Sequence, residues 1–434
     1  MSVTVFKNIG AIVGADIEPP RRRAGKEMDT LPLLSDAWME VRSDRILRFG
    51  PMSAFESAGF SDTAHVVDLK GEWVFPSFCD SHTHIVYAGE RCGEFIDKIH
   101  GLSYEQIAAR GGGILNSADL LHATSEDELL RQAMTRVNEM IAKGTGAIEI
   151  KSGYGLSVDD ELKMLRVIRR IAGLSPVEVK ATFLGAHAVA RAYTGRIDEY
   201  VDLVCREMIP EVGRQQLADY VDVFCDEGFF TPAHTARILE AAAHYGLKPK
   251  IHANELAVSG GVQVGVSHDA VSVDHLERTG PEEIEALLSS STIPTMLPGA
   301  SFFLGMPYGN ARGFIEAGLP LALASDYNPG SSPSGDMRFV AALGCIRMRL
   351  TPEQAFNAVT LNGAAAMELS SQFGSITPGK IASFFTTTPL SSTAFPLYAY
   401  TTPFITHVWL RGEKVFPKVK VETQLSPARK PSHF

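Results

Sequence analysis

The sequence predicts an α/β fold, a TIM (β/α)8 barrel with a small β-sandwich domain formed from the N- and C-terminal segments. From about residue 75, eight short apolar runs alternate with amphipathic helical patterns, which is typical of parallel βα units. Eight such units in series is the number that closes a barrel. A length of 434 residues suits a large barrel with a satellite domain.

The two ends of the chain are rich in short β patterns separated by turns. The first 73 residues contain VTVFKN, AWMEVRSDRILRFG and HVVDLKGEWVF, and the tail contains ITHVWLRGEKVF. We expect these segments to pair with each other beside the barrel. The predicted domains are therefore a composite β-sandwich of residues 1–73 and 385–434 and a barrel of residues 74–384.

The eight candidate barrel strands are, in order, FPSFCDSHTH, GAIEIKS, VEVKATFLGAH, VDVFCDEG, KPKIHANE, AVSVDHLE, TIPTMLPG and LPLALASDY. Helices with recognisable start signals lie between them. These signals are Ser125 with Glu128, Ser157 with Asp160, Thr231-Pro232 and Thr351-Pro352. An open doubly wound sheet would also alternate strands with helices, but the strand count and the positions of the polar residues favour closure.

Composition and charge exclude several classes of function. Forty Lys+Arg against fifty Asp+Glu give a net charge of −10, which argues against nucleic acid as a partner. No run of 18 apolar residues occurs, so no membrane span is expected. Five cysteines without tight spacing argue against a disulfide framework and for a reducing, cytoplasmic location.

The strongest local motif is His82-Thr-His84 at the end of the first candidate strand. Residues two apart on a strand point the same way, so both imidazoles would face the barrel mouth, where they suit a transition metal. Alone, this motif also fits two structural histidines. However, further polar residues end later strands, namely His187, His252, His275 and Asp326, and catalytic groups of TIM barrels come from those ends.

Longer motifs from about residue 70 to 370 resemble the amidohydrolase superfamily: FCDSHTHIVYAGERCGEF, EIKSGYGLS, FLGAHAVA, KIHANEL, VDHLE and SDYNPGSSPSGDM. The resemblance implies that one Zn²⁺ or Fe ion is held by His82, His84, His252 and Asp326. Binuclear members bridge two metals with a carboxylated lysine at the end of strand four. VDVFCDEG has no lysine, which predicts one metal, and Asp226 and Glu227 are expected to be solvated carboxylates of a capped loop.

Within the superfamily, the motifs are most similar to those of a histidine-degradation hydrolase. The resemblance implies hydrolysis of the cyclic amide of 4-imidazolone-5-propanoate to N-formimidoyl-L-glutamate, with a metal-activated hydroxide as nucleophile. It implies catalytic roles for Glu255, His275 and Asp326. It also implies that the substrate is contacted by Arg91, Tyr154, His187, Glu255, Asn328, Gly330 and Ser331. Arg91 would bind the propionate, because a guanidinium fork holds both carboxylate oxygens.

Several alternatives remain open. A related deaminase acting on a nucleobase or an analogue would use the same metal ligands, and a barrel that has lost catalysis could serve as a binding protein. Phe and Leu residues on the outer helices fit either barrel packing or a homodimer interface. The Gly111-Gly112-Gly113 run predicts a loop near the barrel mouth. Ile381 and Ser383 replace two acidic residues of the superfamily pattern, which puts local stability or surface contacts in doubt.

Overall fold

A computed structural model describes residues 2–102, 106 and 112–417. Its central element is an eight-stranded parallel sheet in sequential order, β6 to β13, and each strand overlaps one predicted run. The TIM-barrel prediction is thus confirmed. The strands are β6 (Phe78–Asp80), β7 (Thr145–Lys151), β8 (Glu178–Ala186), β9 (Tyr220–Cys225), β10 (Lys248–Ala253), β11 (Ser272–His275), β12 (Ile293–Met296) and β13 (Ala322–Leu323).

The first and last barrel strands meet just beyond their carboxyl ends. The Asp326 N–H donates to the His82 carbonyl at 3.0 Å, and the His84 N–H donates to the Tyr327 carbonyl at 2.9 Å. The Asp80 carboxylate accepts from the backbone N–H and the hydroxyl of Ser325. These bonds close the barrel at the level where the predicted site residues begin.

Helices cover the outside of the barrel and bury the outer face of its strands. The α-helices are Cys92–Ile99, Ile114–Ala123, Glu126–Ala142, Val158–Leu174, Ile197–Leu203, Ile209–Arg214, Pro232–Ala243, Gly261–Ser267, Pro281–Leu288, Pro298–Leu304, Ala311–Glu316, Met337–Met348, Pro352–Val359, Leu361–Ala365 and Phe395–Tyr398. A π-turn, Val204–Met208, joins two of them.

The predicted helix starts are present. The side chains of Ser125, Ser157, Thr231 and Thr351 each accept a backbone N–H three residues on. One detail differs, because the Glu128 carboxylate binds the Arg131 guanidinium and does not reach back to Ser125. Glu128 therefore forms an ion pair along the helix surface instead of the second hydrogen bond of a capping box.

The two ends of the chain form a second, mixed sheet, as expected. Its order is β16-β15-β14-β5-β1-β2-β3, with β4 also paired to β1. The strands are β1 (Val3–Val13), β2 (Leu33–Arg42), β3 (Arg45–Pro51), β4 (His65–Asp68), β5 (Trp73–Pro76), β14 (Phe384–Thr387), β15 (Ile405–Leu410) and β16 (Glu413–Phe416). The exact domain boundaries stay a prediction, and residues 418–434 of the second segment lie outside the described part of the chain.

Aromatic packing joins this sheet to the barrel. Phe385 of β14 stacks on Phe75 of β5, with ring centroids 5.3 Å apart, and contacts Phe78 of β6 at 5.0 Å. The two departures from the superfamily pattern lie nearby and are buried: Ile381 packs against Cys79 and Ala147, and the Ser383 hydroxyl accepts the Arg411 N–H. Among the described helices, none has the length and apolar character needed to cross a bilayer.

Candidate metal centre and active site

Four potential ligand atoms converge above the carboxyl ends of β6, β10 and β13. His84 Nε2 lies 3.2 Å from His82 Nε2 and 3.4 Å from His252 Nε2. Asp326 Oδ1 lies 3.6 Å from His82 Nε2 and 3.5 Å from His84 Nε2. Ligand atoms about 2.0–2.1 Å from a tetrahedral zinc ion are separated by about 3.3 Å. The donor set and its spacing therefore fit a first-row divalent metal ion.

Buried carboxylates fix the orientation of two of these imidazoles. His82 Nδ1 lies 2.7 Å from Asp274 Oδ2, and His252 Nδ1 lies 2.9 Å from Asp222 Oδ2. Each carboxylate favours the tautomer with its proton on Nδ1, which leaves the Nε2 lone pair directed at the site. Burial, together with the positive charge of Lys151, also lowers the pKa of His82 well below its usual value. The neutral, metal-binding form of this side chain is thus favoured.

The backbone is strained where three barrel strands deliver their polar side chains. Asn254, His275 and Asp326 have φ values of 58°, 84° and 53°, in the left-handed region that non-glycine residues seldom adopt. Such strain costs of order 1–3 kcal/mol per residue and clusters at functional sites. Here it turns the chain sharply at the ends of β10, β11 and β13, beside the four potential ligands.

A second group of polar side chains flanks this centre. His275 Nε2 lies 3.5 Å from Glu255 Oε2, and His275 Nδ1 lies 3.5 Å from Glu277 Oε2. Burial alone would lower the pKa of His275, but the two carboxylates raise it above its usual value. Burial raises the pKa of Glu255 towards neutrality, although the charge of His275 opposes this. His275 and Glu255 therefore form a pair that can hold and move a proton.

Arg91 supplies a cation on the opposite wall. Its Nε donates to the Ser117 hydroxyl at 2.9 Å, and its guanidinium carbon lies 5.8 Å from the centroid of the Tyr154 ring. Its Nη2 is buried and has no hydrogen-bond partner within the part of the chain that is described. An unpaired, buried guanidinium nitrogen is costly, so its presence indicates a position for an anionic ligand group.

The loop after β13 approaches Arg91 closely. A Cβ atom on Gly330 would lie 2.4 Å from Arg91 Nη1, so a larger residue here would displace the guanidinium group. Asn328 holds the loop by accepting the N–H groups of Gly330 and Ser331. The Ser331 hydroxyl donates to Asp326 Oδ2 at 3.1 Å, so this loop also orients the carboxylate of the metal centre.

His187 and Tyr154 line the side of the site nearest His84. The His187 ring is stacked on that of His84 at 5.3 Å, and its centroid lies 5.3 Å from that of Tyr154. His187 Nδ1 lies 3.0 Å from the Gly153 carbonyl, which leaves its Nε2 as an acceptor. The structure thus brings together all the residues that the sequence assigned to the site. Gly111, from the predicted mouth loop, lies outside the described residues.

Two buried carboxylates position loops of the site. One was wrongly predicted from the sequence to be solvated, and the other was not predicted. Asp226 was expected to be solvated, but it is buried and accepts the N–H groups of Glu255, Leu256 and Ala257. The prediction that Asp226 is solvated was wrong because the turn after β10 folds over this carboxylate. Glu161 similarly accepts N–H groups on both sides of Tyr154, and no sequence signal distinguishes it from an ordinary helix residue.

Charged residues inside the barrel strands were also not predicted from the sequence. Glu149, Lys151, Asp222, Lys250 and Asp274 are fully buried. A signal for them exists in the sequence, since each lies within a predicted barrel strand, where charged side chains are uncommon. Charged residues are almost never fully buried unless they are paired, so this pattern could have identified them.

Comparison with known proteins identifies the protein family to which the chain belongs. The family model described as "Amidohydrolase family" matches residues 73–415, so the chain belongs to the amidohydrolase family. Solved structures share the fold at low sequence identity: a triazine hydrolase variant (TM-score 0.74, 14% identity, 95% of this chain and 94% of that one) and the guanine deaminase of E. coli (TM-score 0.70, 14% identity, 95% and 99%).

Curated relatives narrow the class further. The imidazolonepropionase of Flavobacterium psychrophilum is 50% identical over 90% of this chain and 94% of its own length. That of Flavobacterium johnsoniae is 49% identical over 95% and 99%, and that of Geobacillus kaustophilus is 40% identical over 82% and 84%. Within the amidohydrolases, the chain belongs to the imidazolonepropionase family.

Proposed function

We propose that this chain hydrolyses the cyclic amide of 4-imidazolone-5-propanoate to N-formimidoyl-L-glutamate, a step of L-histidine catabolism. The observation that carries the proposal is the proximity of two groups of residues, joined through Tyr154. The first is three imidazoles and a carboxylate whose potential ligand atoms lie 3.2–3.6 Å apart, and the second is Arg91, whose buried Nη2 has no hydrogen-bond partner among the described residues. The first suits amide hydrolysis and the second suits a substrate with a carboxylate arm. The names of the relatives support the same activity.

We assign the metal to His82, His84, His252 and Asp326, with one Zn²⁺ or Fe ion per subunit. A bound ion of this kind lowers the pKa of water towards neutrality and polarises a carbonyl group. The chain itself provides the rest of the chemistry. His275, held between Glu255 and Glu277, donates to the oxygen of the ring carbonyl as negative charge develops there.

Glu255 is assigned to proton transfer. Its raised pKa lets the carboxylate accept the proton of the attacking water and return it to the departing ring nitrogen. Arg91 binds the propionate, and Tyr154 and His187 border the ring on the side of His84. Asn328, Gly330 and Ser331 complete this wall and contact the substrate. We further propose a cytoplasmic location, consistent with five free thiols, and a homodimer.

The decisive experiment follows loss of the ultraviolet absorbance of 4-imidazolone-5-propanoate with purified protein. Activity should disappear with a chelator and return with Zn²⁺ or Fe²⁺. His82→Ala should lose both metal and turnover, and full turnover by a metal-free His82→Ala variant would refute the assignment. Ammonia release is measured in parallel, because ring opening frees none, whereas a deaminase acting on a nucleobase would.

A further inference from the structure

Five charged side chains form a closed layer beneath the metal centre. They come from four barrel strands and are all fully buried: Glu149 and Lys151 (β7), Asp222 (β9), Lys250 (β10) and Asp274 (β11). Three carboxylates thus face two ammonium groups with no access to water. Removing one member of such a group leaves a buried charge uncompensated, which is strongly destabilising.

Lys151 occupies a special place in this layer. Its Nζ donates to Asp222 Oδ2 at 2.8 Å and lies 3.7 Å from Asp274 Oδ2. These are the same two oxygen atoms that face His252 Nδ1 and His82 Nδ1. One ammonium group therefore lies between the two carboxylates that orient imidazoles from opposite parts of the barrel.

Lys250 has the same burial but different contacts. Both lysines bind Glu149, and Lys151 Nζ donates to its Oε1 at 2.5 Å. Lys250 Nζ also donates to the Ser81 carbonyl at 2.9 Å and lies 3.9 Å from Asp274. Its contacts within 4 Å do not include Asp222. The two lysines are thus matched in charge and environment, and only Lys151 connects both histidine-bound carboxylates.

We propose that Lys151 is a positioning residue for the metal centre: its ammonium group holds Asp222 and Asp274 where they orient His252 and His82. The inference rests on the proposed metal ligands. Without Lys151, the two carboxylates would repel each other and move away from the imidazoles. The Nε2 atoms of His82 and His252 would then no longer be directed at the same position, and the affinity of the site for a divalent cation would fall.

The test compares two charge-balanced double variants, Lys151→Met/Glu149→Gln and Lys250→Met/Glu149→Gln. Each removes one ammonium and one carboxylate, and neither alters Asp222 or Asp274. The affinity of the metal-free proteins for Zn²⁺ is measured by competition with a chromophoric chelator, and circular dichroism verifies folding. We expect the Lys151 variant to bind about 10- to 100-fold more weakly than wild type, as for other residues behind metal ligands. The Lys250 variant should lose less than about threefold.

A second readout is the visible spectrum of the Co²⁺-loaded proteins, which reports ligand geometry. It should change in the Lys151 variant and match wild type in the Lys250 variant. Equal zinc affinities and equal spectra in the two variants would overturn the role of Lys151 while leaving the proposed function intact. Wild-type protein that binds no zinc would overturn both. If Lys151→Met/Glu149→Gln does not fold, Lys151→Arg is compared with Lys250→Arg. Unaltered zinc affinity and an unaltered cobalt spectrum in Lys151→Arg, together with weakened zinc binding by Lys250→Arg, would equally overturn the inference.

Discussion

At the scale of single residues, the proposed substrate class rests on Arg91, whose Nη2 has no hydrogen-bond partner among the described residues. Arg91→Ala should raise KM for 4-imidazolone-5-propanoate by about tenfold to a hundredfold, since a hydrogen bond to a charged group contributes about 1.5–3 kcal/mol. Steady-state kinetics of this variant test the prediction. Arg131→Ala, on an exposed helix surface, is the control. An unchanged KM would remove Arg91 from the anchor role.

Glu255 makes a different prediction, because its role lies in the chemical step. Glu255→Gln keeps the shape of the side chain but cannot exchange a proton, so kcat should fall by about 10²- to 10⁴-fold. Metal content, measured by mass spectrometry, should stay at the wild-type level. Glu227→Gln alters an exposed neighbour of Asp226 and should leave kcat unchanged. Loss of metal from Glu255→Gln would instead indicate a structural role.

At the scale of secondary-structure elements, the sequence predicted most of the barrel and part of the site. Strands and helix starts follow from local patterns: apolar runs for strands such as β12, and a hydroxyl three residues before an N–H for helices such as Glu126–Ala142. The site residues at the strand ends could be predicted from the same local patterns. Asp226 and Glu161 were not, because each binds the backbone of a loop whose path depends on tertiary packing.

The segment between the last barrel helices and β14 contains a buried lysine with a measurable consequence. Burial lowers the pKa of Lys380 to about 8, and its Nζ donates to the Phe373 carbonyl and the Ser375 hydroxyl. Between pH 8 and about 10.4, the unfolded chain binds this proton and the folded chain does not. Stability from this group therefore rises with pH across that interval.

Lys380→Met lacks this contribution. The margin in free energy of unfolding, wild type minus variant, should therefore become more positive as pH rises from 8 to 10, because the cost of burying the charged amine disappears. Urea titrations of both proteins at several pH values measure the margin. A margin that stays constant over this interval would show that Lys380 remains charged in the folded protein.

At the scale of the whole molecule, a buried asparagine links the N-terminal segment to the barrel. Asn362 is fully buried; its Oδ1 accepts the Arg23 N–H, and its Nδ2 donates to the carbonyls of Arg23 and Leu321, each at 2.9 Å. It therefore connects the N-terminal segment to Leu321, directly before the last barrel strand, and Asp326 follows that strand by three residues. Arg23 lies in the segment between β1 and β2 of the second sheet, so this side chain joins that segment to the barrel.

Asn362→Ala should consequently destabilise the barrel and the N-terminal segment together. It leaves one N–H and two carbonyls buried without this partner, and we expect a loss of about 2–4 kcal/mol in the free energy of unfolding. Asn138→Ala, at an exposed helix position, should cost less than about 0.5 kcal/mol. Calorimetry distinguishes the outcomes: a single transition shifted to lower temperature supports the coupling. Separate melting of the sheet at low temperature, with the barrel transition and zinc affinity unchanged, would show that the metal centre does not depend on this attachment.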